Sequence, residues 1–394
     1  MAGDGSDLTN LFEHAVEFDA EAGVEAIALD VPAAWCVYLL ADGGGRPVQL
    51  LCVKNLRASL RRRLAVGDEP SRRADLTQVV RRVAWTRVDS AYEQDLTYLE
   101  AARACFPESY AGVLGFYPAW FLHLNPDTTY PRLTRQSQID KSTGVYVGPL
   151  PDKHAADKLV RAVEDAFDLC RDWDRLTSDK SDPCQWRQMG KCVGPCEGPP
   201  GGVSLDAYRG LVAEAAAAMC DPAGVASSLE QRMRDAAREQ RFEDAAAIKK
   251  HADAVAALGE GNRRHARPVE QFRYLAILPG GDGFAKVFAI TPTRSRFVAA
   301  VAADADASTR SAVLSASLDL LAEDEPRPSA IDAFERVSLA TLHLFAPKKQ
   351  PGTWLHEADL TDRAFAAAVK AATKPAAEAS SDDEGEVRGL QSLG

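Results

Sequence analysis

No apolar run in the 394 residues reaches the roughly 18 that a membrane-crossing helix needs, so no such span is expected. The first thirty residues hold eight Asp and Glu and no Lys or Arg, whereas an export signal opens basic and then turns apolar. A cytoplasmic protein is the expectation. Net positive charge is missing too: the formal charge is −11, and a surface that grips phosphates has to be positive. At 46% apolar and 26% charged residues the composition is that of ordinary folded domains, which argues against global disorder and against a fibre. Eight cysteines in so long a chain, with no export signal, do not suggest a disulfide framework.

What is there is unevenly spread. At about 150 residues per domain the length predicts two to three domains. Between Lys54 and Arg87 ten Lys and Arg face three acids, a local charge of +7, while both ends of the chain are acidic. That block either binds a polyanion or keeps a helix face wet. Residues 34–53 read as strand, glycine turn (GGGRP), strand, and NLRASLRRRL after them spaces Leu56, Leu60 and Leu64 as one stripe of a basic amphipathic helix. Ser90, with Glu93 three residues on, predicts a capping box and a helix that stops before Pro107. Further strands are expected over 112–148, a helix from about Asp152 to Leu169, a helix over 205–219 and two helices over 225–258. Strands follow over 271–302, then a helix near 308–322 and a disordered acidic tail. Cys36, Cys52, Cys105 and Cys220 are scattered in apolar contexts; Cys170, Cys184, Cys192 and Cys196 lie close together, separated by 13, 7 and 3 residues. Four thiolates suit Zn²⁺ or an iron–sulfur cluster, and the paired two-residue knuckles of zinc ribbons are absent.

Three of these patterns, in this order, resemble the N-terminal half of the UvrC family of excinucleases and its short Cho-like homologues, over roughly residues 31–260. The hairpin is similar to a GIY-YIG nuclease core, where two tyrosines, an arginine and a metal-holding glutamate surround one divalent ion. The resemblance puts Tyr38 at the first tyrosine and Glu93 at the glutamate. Gln49 stands at the second tyrosine, Leu51 at the following glycine, Cys52 at the lysine after it and Ser59 at the arginine. Tyr38 and Glu93 are thus the catalytic remnants. Losing one preorganised electrostatic group typically costs roughly 10²–10³ in rate, so a nuclease fold with impaired cutting is expected. Mg²⁺ or Mn²⁺ is implied only if the site is active, with Arg61 or Arg62 standing in for Ser59. A second Gly-Val-Tyr, at 144–146, has no tyrosine and basic helix after it at hairpin distance.

The same resemblance implies that Cys170, Cys184, Cys192 and Cys196 hold a [4Fe-4S] cluster, with Zn²⁺ as the alternative. LEQRMRDAAREQRFEDAAAIKKHADAV is similar to the UVR motif, with Leu229, Met233, Phe242, Glu243, Ala245 and Ala246 at partner-binding places and Phe242 sealing the corner of an antiparallel hairpin. The implied partner is UvrB, the excinuclease component that carries a matching hairpin. Gln240, Lys249 and Lys250 depart from the motif. Damaged double-stranded DNA would meet Lys54, Arg57, Arg61, Arg62 and Arg63, and no membrane is involved. Beyond residue 260 the likeness weakens, and no second incision activity is expected.

The expected fold is therefore α+β and multidomain. An acidic extension (1–30) precedes a degenerate GIY-YIG-like α/β domain (31–111) and a middle region with the four-cysteine site (112–200). A helical region with the UVR hairpin (201–262, hairpin about 225–258), a small α+β C-terminal domain (268–350) and a disordered tail (370–394) follow. The expected function is a DNA-repair protein of nucleotide excision repair that binds DNA and UvrB. Its alternatives are an active Cho-like endonuclease making one incision and a non-catalytic regulator that only binds UvrB.

Overall fold

A computed structural model describes residues 8–64, 75–114, 117–140, 144–177, 184–346, 351–374 and 388–389. It is a mixed α/β chain of three small antiparallel sheets with helices packed on and between them. The first sheet orders its strands β1-β4-β2-β3, where β1 is His14–Glu17, β2 Cys36–Ala41, β3 Pro47–Val53 and β4 Arg82–Arg87. The turn between β2 and β3 closes on Asp42, whose carboxylate accepts from the backbone N–H groups of Gly44 and Arg46. Alternation along β2 splits its side chains between two cores. Cys36, Tyr38 and Leu40 pack with Leu56 and Leu60 of helix α1 (Leu56–Arg63), capped by Asn55. Val37, Leu39 and Ala41 face the other way, onto helix α2 (Ala91–Cys105).

Ser90 caps α2 as the sequence predicts, accepting from the Glu93 N–H, but Glu93 does not close the reciprocal box: its carboxylate accepts from the N–H of Asp89. The segment before residue 31 is also more than an acidic extension. Phe12, Phe18, Ile27 and Val31 are buried, β1 extends the sheet, and Glu17 and Glu25 pair with Arg82 and Arg61. A charge count alone could not reveal the apolar residues interleaved with those acids.

The middle sheet runs β6-β5-β7-β8 (β5 Trp120–Leu124, β6 Leu133–Gln136, β7 Val145–Leu150, β8 Arg267–Pro268). Helix α3 (Lys153–Ala166), capped by Asp152, lays Ala156, Leu159 and Val163 on it. Gly144 enters β7 at φ +79 with the Leu124 carbonyl beneath it, and a Cβ there would lie 2.4 Å from that oxygen. Gly144→Ala should therefore lower the denaturation midpoint, costing more than about 1 kcal/mol, with an unchanged denaturant slope. The Gly-Val-Tyr at this place serves a strand entry, not a second nuclease hairpin. Helices α4 (Leu205–Cys220), α5 (Pro222–Arg238) and α6 (Phe242–Ala256) complete this region, with Ala226, Leu229, Ala252 and Val255 in the same core as α3.

The third sheet runs β11-β10-β9-β12 (β9 Tyr274–Pro279, β10 Phe284–Ile290, β11 Ser295–Ala302, β12 Thr353–His356). One face carries helices α7 (Ala307–Ala322) and α9 (Asp362–Ala372), through Leu321, Phe365 and Val369. The other face turns Tyr274, Ala276, Leu278 and Phe288 toward α2 and helix α8 (Ser338–Leu344). This unit outruns the expected boundary at 350, because β12 and α9 supply its edge strand and half of its helical cover. Of the tail expected to be disordered, 370–372 belong to α9 and 388–389 pair with Leu51 and Cys52 on β3. Thr373 ends that helix, and residues 375–387 and 390–394 lie outside the described residues.

Candidate functional site

Tyr38 is fully buried, and its hydroxyl is 3.0 Å from the hydroxyl of Ser59 on α1. Burial, the largest influence, raises its phenol above the ordinary range, so it remains a neutral partner of Ser59. Gln49 shares this face opposite Leu40, and its side-chain oxygen accepts from Arg63 at 3.2 Å; Leu51 lies opposite Tyr38. With Arg63 on Gln49, three of the expected phosphate contacts are already engaged. Arg61 makes two hydrogen bonds to Glu25, at 2.8 and 2.6 Å, and Arg57 donates to the Val31 carbonyl at 3.0 Å. Lys54 and Arg62 are exposed and carry no ion pair among the described residues.

Glu93 is not brought to Tyr38. It starts α2, which packs on the opposite face of the sheet, so the two catalytic remnants do not form one site. Glu93 has a different partner, the ammonium of Lys286 on β10, at 2.5 Å; the same nitrogen is 2.9 Å from Asp89. Arg87 adds a bridge to Asp89 at 3.3 Å. Burial raises the Glu93 carboxyl above its usual range, against the opposing pull of Lys286 and the Asp89 N–H. For Lys286 burial works against the charge, yet the two carboxylates outweigh it and hold the ammonium protonated. Sequence reasoning missed this residue because it lies 193 positions away; the available signal was one Lys within the apolar strand FAKVFAI.

The four clustered cysteines end near one another. Cys184 and Cys192 are buried, Cys170 and Cys196 half-buried. The Cys170 thiol donates to the Asp172 carbonyl at 3.5 Å and lies beside Cys192, whose sulfur accepts from the Gly194 N–H at 3.4 Å. Cys192 is drawn below the usual thiol range, first by its neighbour Cys170, then by the Gly194 N–H and the guanidinium groups of Arg187 and Arg171. Cys170 is pushed up by Cys192 beside it and by burial, and Cys196 is raised by burial and by the charges of Cys184 and Cys192. The donor chemistry suits a thiolate-ligated metal. Among the described residues, however, no three His, Cys, Asp or Glu side chains are arranged to hold an ion.

The α5–α6 hairpin is two-sided along its length. Its base is docked internally through Ala226, Leu229, Ala252 and Val255, and His251 meets the Phe167 ring edge-on at 4.9 Å. At its tip Met233 is half-buried, Ala245 is buried, and Glu243 and Ala246 are exposed. Phe242 does not seal the corner: it is 68% exposed. The turn is made instead by Gln240, at φ +62, ahead of Arg241, which pairs with Glu239 and Asp244.

Known proteins share part of this architecture. Residues 117–218, the sheet around β5 with α3, the cysteine loop and α4, match the family model of the UvrC/Cho excinuclease middle domain. The chain is related to the UvrC family through this domain. UvrABC system protein C of Desulfitobacterium hafniense is 31% identical over 113 residues, 28% of this chain and 17% of that protein. The protein of the same name from Vibrio cholerae (strain ATCC 39315 / El Tor Inaba N16961) is 31% identical over 96 residues, 24% of this chain and 15% of the relative. That of Shigella dysenteriae is 26% identical over 187 residues, 46% and 30% respectively. The matches thus span less than a third of each UvrC relative's length. No solved structure matches the chain with significance. Among the described residues no helix is long and apolar enough to cross a membrane.

Proposed function

We propose that this chain is a DNA-repair protein of the UvrC family that works in nucleotide excision repair by binding DNA and UvrB, with a GIY-YIG-like domain that no longer cuts. The observation that carries the loss of cutting is Lys286. Its ammonium bridges Glu93 and Asp89, and Arg87 completes the charge balance at Asp89, so the carboxylate assigned to a divalent ion already has a cation, and the residues present do not fit Mg²⁺ or Mn²⁺. Tyr38 adds to this: sealed against Ser59, with burial raising its phenol, it has no route to an attacking water. Purified protein mixed with lesion-bearing duplex, UvrB and Mg²⁺ or Mn²⁺ should leave the duplex intact. Nicking that Glu93→Ala abolishes would instead make it an active Cho-like endonuclease.

DNA binding is assigned to the basic helix α1 and to Lys54 before it. Because Arg57 and Arg61 are engaged within the protein, Lys54 and Arg62 carry most of the contact. Lys54→Glu with Arg62→Glu should weaken binding to all sequences alike and flatten the slope of log affinity against log salt by about 2. A protein that binds UvrB but no DNA at low salt would be a pure regulator.

Cys170, Cys184, Cys192 and Cys196 would hold the [4Fe-4S] cluster, whose contribution is to tie the cysteine loop to α3 and α4. The closeness of the four thiols and the downward pull on Cys192 from the Gly194 N–H, Arg187 and Arg171 support this, because a thiolate is the ligating form. Protein purified without oxygen should be brown, and Cys192→Ser should be colourless. A colourless wild type with one equivalent of zinc would assign the loop to Zn²⁺.

A further inference from the structure

A cavity of about 570 Å³ opens between the first and third sheets, where α2 begins. Its volume is in the range of about 300–1,000 Å³ typical of small-ligand sites, large enough for one nucleotide and too small for a duplex. Five of its lining residues are rings: Trp35, Tyr92, His265, His343 and Trp354. Their orientations are set by neighbours. Trp354 stacks on His343 (6.4 Å between centroids, 10°) and takes Tyr92 edge-on (5.1 Å, 89°). The Trp35 indole N–H donates to Gln94 at 2.8 Å, and His343 is held by Asp95 at 3.0 Å. Both tryptophans are half-buried and line the cleft, Trp354 from β12 and Trp35 from the residue just before β2.

The charge around the cleft suits a phosphate. Exposed Arg264 lines it, on the short turn Gly261–His265, beside the ring of His265. Asp89 is the one acid among the lining residues, and Lys286 and Arg87 neutralise it. Burial, with Arg264 and Arg267 nearby, lowers His265 to about 4, so its ring is uncharged at neutral pH, and it is held between the Arg264 guanidinium and the Tyr274 hydroxyl.

We propose that this cleft receives one unstacked nucleotide, its base against Trp35 and Trp354 and its phosphate toward Arg264. The proposal rests on the reading that the chain works on DNA and adds a second contact to it, away from helix α1. Stacking reads the face of a base and not its edge, so little base preference is expected.

The full chain is titrated into three probes: an oligonucleotide with 2-aminopurine in a single-stranded stretch, the same oligonucleotide fully paired, and free dAMP read by tryptophan fluorescence. Saturable quenching of the single-stranded 2-aminopurine is expected, with none in the paired probe. Trp354→Ala should weaken single-strand binding roughly tenfold, and Trp354→Phe, which preserves an aromatic wall, should restore part of it. Arg264→Gln should weaken binding yet leave the quenching at saturation. Comparable binding of dAMP would support the cleft and make free nucleotide its source; much weaker binding would support a strand. Duplex binding without quenching of any 2-aminopurine, or quenching unchanged in Trp35→Ala and Trp354→Ala, overturns the cleft and leaves the DNA reading standing. No binding of any DNA or nucleotide overturns both.

Discussion

Lys286→Met should destabilise the protein by about 2–4 kcal/mol at neutral pH, because it leaves the largely buried Glu93 without its cation and Asp89 with Arg87 alone. The pH dependence has a definite sign. Burial already raises the folded-state carboxyl of Glu93 above its unfolded value, and Lys286 is what restrains that rise. Without Lys286 the rise is larger, so the variant's deficit grows as pH climbs above the unfolded carboxylate value and shrinks in acid, where Glu93 is protonated. Urea unfolding of both proteins between pH 4.5 and 7.5 measures this. A deficit that stays flat across the range would show that the loss is one of packing. The same variant tests the vacated carboxylates: if Mn²⁺ restores its midpoint but not that of Lys286→Met with Glu93→Gln, the pair can take a divalent ion once the lysine is gone. No restoration would mean that the carboxylates are not placed for one.

Phe242→Ala should sever binding to UvrB and leave the fold intact. At 68% exposed the ring contributes little to the core, so the melting temperature should shift by no more than about 1–2 °C. An aromatic anchor at the centre of an interface is worth about 2–4 kcal/mol, a weakening of roughly 30- to 1,000-fold. Calorimetry with purified UvrB gives the affinity and a thermal melt gives the stability. Full-strength binding by the variant would move the interface off the hairpin tip.

What the sequence made legible was local. Ser90 caps its helix as the sequence predicts, the helix expected from about Asp152 starts there, the GGGRP turn closes a hairpin, and the Leu56–Leu60 stripe faces the core. These depend on neighbours within a few residues. What stayed hidden depended on partners far along the chain. Lys286 reaches Glu93 only after the third sheet has docked on α2, and no local rule announces that. The motif puts Phe242 in a corner because small helical pairs usually bury their aromatic; here Ala245 packs close enough to do the burying, and the ring is left outside. The N-terminal strand was hidden by its own acids, which balance Arg61 and Arg82 and leave Phe12 and Phe18 free to enter the core.

Helix α2 is shared property. Leu39 from the first sheet, Phe121 from the middle one and Phe288 from the third meet in a single apolar cluster around it. The divisions that can be drawn along the chain are therefore not divisions of cooperativity. Cutting between residues 262 and 268 would strip one side of α2 and expose Tyr92, so the N-terminal half is not an autonomous folding unit. A destabilising change in the third sheet is carried through α2 to the first sheet, which ties the two ends of the chain to a common thermodynamic fate.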